Sequence, residues 1–93
     1  MLEKTAHIQT EQARRYLHML CKHFKHKVTA GWDEEQGWVE FAMGRCELNC
    51  TDDVLQVRCQ ADNAEDLQQI TETVKSHFDR FAQKQQLTLQ WSS

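Results

Sequence analysis

Between Lys27 and Val28 the spacing of apolar residues changes from the period of a helix to that of a strand, and this switch constrains the fold more than any other feature. Upstream, Ala13, Leu17, Leu20, Cys21 and Phe24 recur at intervals of three and four, with Tyr16 alongside. That stripe predicts an amphipathic helix from Thr10 to about Lys25. Thr10 is its expected N-cap, and Glu11 suits the positive end of the helix dipole. Downstream, four short runs alternate: Val28, Ala30 and Trp32; Val39, Phe41 and Met43; Cys46, Leu48 and Cys50; Leu55, Val57 and Cys59. Turns are expected at residues 33–37, where Gly37 would supply a positive φ, at Gly44, and at residues 51–53. The four runs therefore read as an antiparallel meander.

The flanks complete the pattern. Leu2, Lys4, Ala6 and Ile8 alternate with polar residues, so residues 2–9 predict a strand near a sheet edge. Asp62 with Glu65 has the form of a capping box, and Leu67, Ile70, Val74, Phe78 and Phe81 follow at helical spacing to about Lys84. Leu87, Leu89 and Trp91 alternate again and predict a last strand over residues 86–91. The element order is then β-α-β-β-β-β-α-β. Two amphipathic helices and strands with one apolar face each are satisfied by a two-layer α+β sandwich, with both helices on one face of an antiparallel sheet. The 93 residues allow a single domain, 1–93, with a core of modest size.

Charge is unevenly placed. Residues 14–27 hold Arg14, Arg15, Lys22, Lys25 and Lys27 and no acid, a local +5. The chain as a whole carries −3, so the remainder carries −8. Three of the five histidines, His18, His23 and His26, lie in the same stretch. Such a basic helix is either a solvated face or a surface that binds anions or partners. An acidic remainder and the lack of interleaved aromatic and basic residues argue against nucleic acid. No apolar run is long enough to span a membrane, and the first residues lack a basic start followed by an apolar segment, so a cytoplasmic location is expected.

His23 and His26 are three apart, a separation that lets two imidazoles on a helix share a metal ion. Further ligands such as His77, Cys46 or Glu47 would have to arrive through the fold. Cys46 and Cys50 cannot serve together, since four residues of strand span about 13 Å. All four cysteines are better explained as buried free thiols. No nucleophile elbow, phosphate-binding glycine loop or Cys-His motif is present, so covalent catalysis has no support and the chain reads as a binding or accessory module rather than an enzyme.

The run Arg15-Tyr-Leu-x-x-Leu-Cys-Lys-His-Phe-x-His-Lys-Val28, with Phe41-x-x-Gly-Arg-Cys-x-Leu48 and His77-Phe-x-Arg-Phe81, resembles a small bacterial family known as domain of unknown function number 2218. The resemblance runs over nearly the whole chain. It implies a short bacterial protein in an iron or siderophore setting. It also implies a polar site where Lys22, His23, His26, Lys27 and Arg45 meet at the junction of the first helix, the next strand and the Gly44 turn. That site would take an anionic small molecule or a metal chelate, with His23 and His26 touching the metal. No cofactor is assigned. Scattering of Lys22, His23 and Arg45 over separate surfaces would undercut such a site. The competing expectation is a protein-interaction module or homodimer using the outward sheet face, marked by an exposed apolar patch at Trp38.

Overall fold

A computed structural model describes residues 2–83 together with Leu87, Leu89 and Trp91. The elements run β1 (Leu2–Gln9), α1 (Ala13–Lys25), β2 (Thr29–Trp32), β3 (Gln36–Phe41), β4 (Gly44–Cys50), β5 (Val54–Ala61) and α2 (Ala64–Phe81). The meander β2 to β5 forms as its alternation predicts, and β1 joins beyond β5, giving an antiparallel sheet of order β1-β5-β4-β3-β2. Because β1 and β2 occupy opposite edges, α1 must cross the sheet between them. Its stripe of Tyr16, Leu17, Leu20, Cys21 and Phe24 is buried on the way. α2 lies beside it, towards β5 and β1, and buries Leu67, Ile70, Val74 and Phe78 on the same sheet face. The fold is the α+β sandwich expected, with both helices on one side.

The local signals at element ends are displaced by a residue or more. α1 begins at Ala13 rather than near Thr10. The Thr10 hydroxyl accepts a hydrogen bond from the Gln12 amide at 3.1 Å, which forms a turn ahead of the helix, and the N-cap position falls to Gln12 with no side-chain cap. The cap of α2 is Asn63, not Asp62. Its Oδ1 accepts from the Asp66 amide at 2.8 Å and its Nδ2 donates to the Asp66 carboxylate at 3.0 Å, a box one residue later than the Asp62–Glu65 pair. Asparagine at this place contributes about 1 kcal/mol.

The β2–β3 turn closes at Gln36. Asp33 Oδ1 accepts from the amides of Glu35 (2.9 Å) and Gln36 (2.8 Å), which holds that carboxyl below its usual range. Gly37 is therefore not the turn residue. It sits inside β3 opposite Trp32, and no positive φ is needed there. A Cβ at Gly37 would meet Cys21 Sγ at 2.6 Å, so glycine is required because α1 rests directly on this strand.

Leu89 is fully buried, and its amide donates to Asp79 Oδ1 at 3.0 Å, while Leu87 and Trp91 pack on the core. None of these three is in a strand, and the last strand expected over 86–91 otherwise falls on Gln86, Thr88 and Gln90, outside the described residues. The four cysteines are free and buried, as expected. β4 is unbroken between Cys46 and Cys50. Burial pushes the Cys21 thiol up to about 12, and a hydrogen bond with Cys59 followed by burial pushes Cys46 well up, so these thiols stay protonated and unreactive.

Candidate functional site at the end of the first helix

The basic face of α1 has two different fates. Its first half holds the β2–β3 hairpin: Arg14 Nε donates to the Glu34 carbonyl at 3.2 Å, and the His18 ring is 3.1 Å from the Asp33 carbonyl. Lys25 places its ammonium 5.5 Å from the centre of the Trp32 ring. Two of the five cations, Arg14 and Lys25, are thus engaged in tertiary structure. Of the others, Arg15 is exposed near the start of the helix, while Lys22 and Lys27 lie at the C-terminal end, where they also complement the helix dipole.

There Phe24 is buried and aims the last turn into an aromatic cluster. Its ring meets Phe41 of β3 at 5.3 Å and His77 of α2 at 5.1 Å, both edge to face. One residue earlier, His23 stands half-buried with its ring centre 4.5 Å from that of His77, tilted at 45°, and 5.4 Å from Phe81. His23 Nε2 and His77 Nδ1 are enclosed and have no hydrogen-bond partner among the described residues. Burial lowers the pKa of both imidazoles, the first cause in each case. Lys27, His26 and Arg80 lower that of His23 further, and His23, Arg80 and Lys27 that of His77. Among the described residues, the charged groups that lower these values are all basic.

The expected set of five residues does not assemble. His23 and Lys27 belong to this corner, and Lys22 and His26 are exposed on the same end of the helix chain. Arg45 is on the other side of the sheet. Its neighbour Cys46 points into the core, so the pleat turns Arg45 outward, where it pairs with Glu40 at 2.8 Å and lies 5.6 Å from the centre of the Trp38 ring. The separation that would undercut a joint site of Lys22, His23 and Arg45 is therefore present. Of the further ligands considered, His77 does arrive, while Cys46 is buried in the core and Glu47 pairs outward with Arg58 at 3.5 Å. The contact made by His23 is with His77 and not with its helix neighbour His26. Among the described residues no group of three or more His, Cys, Asp or Glu could hold a metal ion. Arg80 was not singled out, although it stands in the His77-Phe-x-Arg-Phe81 run.

The outward sheet face is polar. Glu40–Arg45, Glu47–Arg58 and the 3.1 Å hydrogen bond from Gln60 to Glu3 cross it. A groove of about 440 Å³ opens beside Trp38, Glu47 and Asn49, and another of about 430 Å³ lies by Met43 and Asp62. Neither is lined by His23 or His77. Trp38 is half-buried beneath Arg45, and the exposed large apolar side chain among the described residues is Leu2, at 44%. The apolar patch that would mark a protein interface at Trp38 is not there.

The depressed imidazoles give stability a pH dependence of defined sign. In the unfolded chain both take protons near the ordinary value of about 6.5, whereas the folded pair resists protonation until lower pH. Their contribution is complete above that ordinary value and is lost as pH falls below it towards the folded values. Urea midpoints are expected to fall from pH 7.5 to 5.5, and the fall is expected to flatten in His23→Phe/His77→Phe. A wild-type midpoint that is level or rises on acidification contradicts the depression.

Together these features define a small bacterial-type α+β domain whose helices share a half-buried histidine pair. The chain belongs to the family described as an uncharacterised protein conserved in bacteria, domain of unknown function 2218, which matches residues 5–92. The same fold occurs in PA4090 from Pseudomonas aeruginosa, determined by NMR, with a TM-score of 0.81 and 30% identity over 99% of this chain and 96% of that one. No curated protein matches. No helix among the described residues is long and apolar enough to cross a membrane.

Proposed function

We propose that the chain is a binding or accessory module that captures a small anion at the corner formed by His23, His77, Lys27 and Arg80, with Lys22 and His26 at its rim. The observation that carries this reading is a corner in which, among the described residues, two enclosed imidazole nitrogens lack partners and the charged groups acting on both rings are basic. In a chain of net −3, an uncompensated cationic corner recruits negative charge from outside. A metal enters this reading only inside an anionic chelate, because Lys27 and Arg80 repel a bare cation. Iron held by a carboxylate chelator is a ligand of that kind.

Histidine ring resonances test the proposal. Citrate, sulfate and ferric citrate are each titrated at pH 7, with Zn²⁺ alone as the contrasting probe. Saturable shifts at His23 and His77 are expected with the anions, weakened at least tenfold in Lys27→Gln/Arg80→Gln. Rings that ignore all three anions at millimolar concentration, or respond equally in the double variant, end the proposal. Shifts produced by Zn²⁺ alone would instead favour a metal site.

A further inference from the structure

Resting on that reading, we infer that anion capture at this corner is coupled to proton uptake: the empty site keeps His23 and His77 neutral, and the filled site holds an imidazolium.

The geometry makes the two events depend on each other. The rings stand 4.5 Å apart, and each encloses one nitrogen without an acceptor, Nε2 of His23 and Nδ1 of His77. A neutral imidazole has one bare nitrogen and can leave that one enclosed. An imidazolium carries N–H on both nitrogens. Protonation of either ring therefore places a donor where none of the described residues offers an acceptor, and an unpaired buried donor is costly. It also adds positive charge beside positive charge.

Among the described residues the surroundings offer no opposite charge. From α1 and the turn after it come Phe24, His26 and Lys27; from α2 come Arg80 and Phe81; and from β3 comes Phe41 against Phe24. These groups are basic or aromatic. The positive charge that the empty corner disfavours is one that an arriving anion would stabilise, because the anion sets opposite charge beside rings whose described neighbours are basic or aromatic. By linkage, whatever the anion does for the proton, the proton does for the anion. With one proton taken up, affinity rises about tenfold for each unit by which pH falls through the range where the empty site is neutral and the filled site is protonated.

Sulfate is the suitable probe, because it does not titrate in this range. Calorimetry on the full chain, at one pH in two buffers of different ionisation enthalpy, reads the protons taken up. Net uptake of up to one proton is expected, with the dissociation constant falling by up to about tenfold from pH 7.5 to 6.5. His77→Phe retains the ring packing and removes one titrating group, so a shallower pH slope is expected in it. Absence of sulfate binding at every pH overturns the binding reading and this inference with it. Binding of equal strength at all pH values with no proton uptake overturns the coupling alone and leaves the binding reading intact. An unchanged pH slope in His23→Phe/His77→Phe also overturns the coupling, by assigning it to other groups.

Discussion

Replacing Phe78 with alanine is expected to lower stability by about 3–5 kcal/mol, the largest effect of any single change considered for this chain. The residue is 0% exposed, and its ring meets Tyr16 of α1 edge to face at 5.3 Å and 63°. Two contributions therefore disappear together. One is the transfer of a large apolar side chain out of water. The other is the specific ring contact by which α2 is keyed to α1, worth about 0.5–1.5 kcal/mol beyond area. Collapse can recover little of either, because Phe78 is fully buried on the face of α2 that packs on the sheet. For a domain this size total stability is on the order of 5–14 kcal/mol, so the loss is a large share of it. Urea unfolding is expected to show a much lower midpoint at an unchanged slope. Phe78 adjoins His77, so loosening α2 also separates the imidazoles and returns their titration towards ordinary values. A loss below about 1.5 kcal/mol would show that the helices are not keyed at this ring.

Most of the architecture was legible because it depends on period. A stripe at three and four, or an alternation of two, survives any rearrangement of partners, and these signals place both helices and all the strands from β1 to β5 within a few residues. The order of the sheet was not legible. Alternation says that Leu2, Lys4, Ala6 and Ile8 share a face, but nothing local says that they pair with Ala61, Cys59, Val57 and Leu55. The α2 cap falls one residue past Asp62 because Asp62 and Asn63 are both good cap residues, and the backbone decides between them only when α2 is docked.

The candidate site divides along the same line. The basic end of α1 could be read directly, since charge and histidine crowd one short stretch. Its completion could not, because His77 and Arg80 arrive on α2 from the far end of the chain, and helix packing alone brings them to His23. Nor does composition reveal that Arg14 and His18 are engaged with hairpin carbonyls. Arg45 is a different matter. With Cys46 inward, strand alternation already sends Arg45 to the opposite face, so the local pattern disagrees with the grouping with Lys22 and His23 that the resemblance implies.

The glycines offer the second large expected effect, and it comes as a ranking. A Cβ at Gly44 would overlap the backbone oxygen of Gln60 and approach Ile70 Cδ1 at 2.5 Å. The Gln60 oxygen belongs to β5, which is paired with β4 on one side and β1 on the other, so it cannot step aside. Ile70 is fully buried on α2. Gly44→Ala must therefore push β4 away from β5 or lift the helix, and about 1–3 kcal/mol is expected to be lost, more than the few tenths regained from a stiffer unfolded chain. At Gly37 the obstacle is Cys21 Sγ, a buried side chain with some freedom to turn, and the loss should be smaller. At Gly31 the new methyl group meets only the indole of Trp38, at 2.8 Å, on the uncovered sheet face, where the ring can swing outward. Alanine there should change stability least. The order Gly44, Gly37, Gly31 in urea midpoints follows from what stands in the way, backbone before buried side chain before movable ring. Because the Gly44 clash bears on Ile70, it reaches α2, and with it His77 and Arg80. Gly44→Ala is thus expected to disturb the histidine resonances, although Gly44 lies outside the site. Should Gly31→Ala prove as damaging as Gly44→Ala, close packing of strand and helix is not what demands glycine in this sheet.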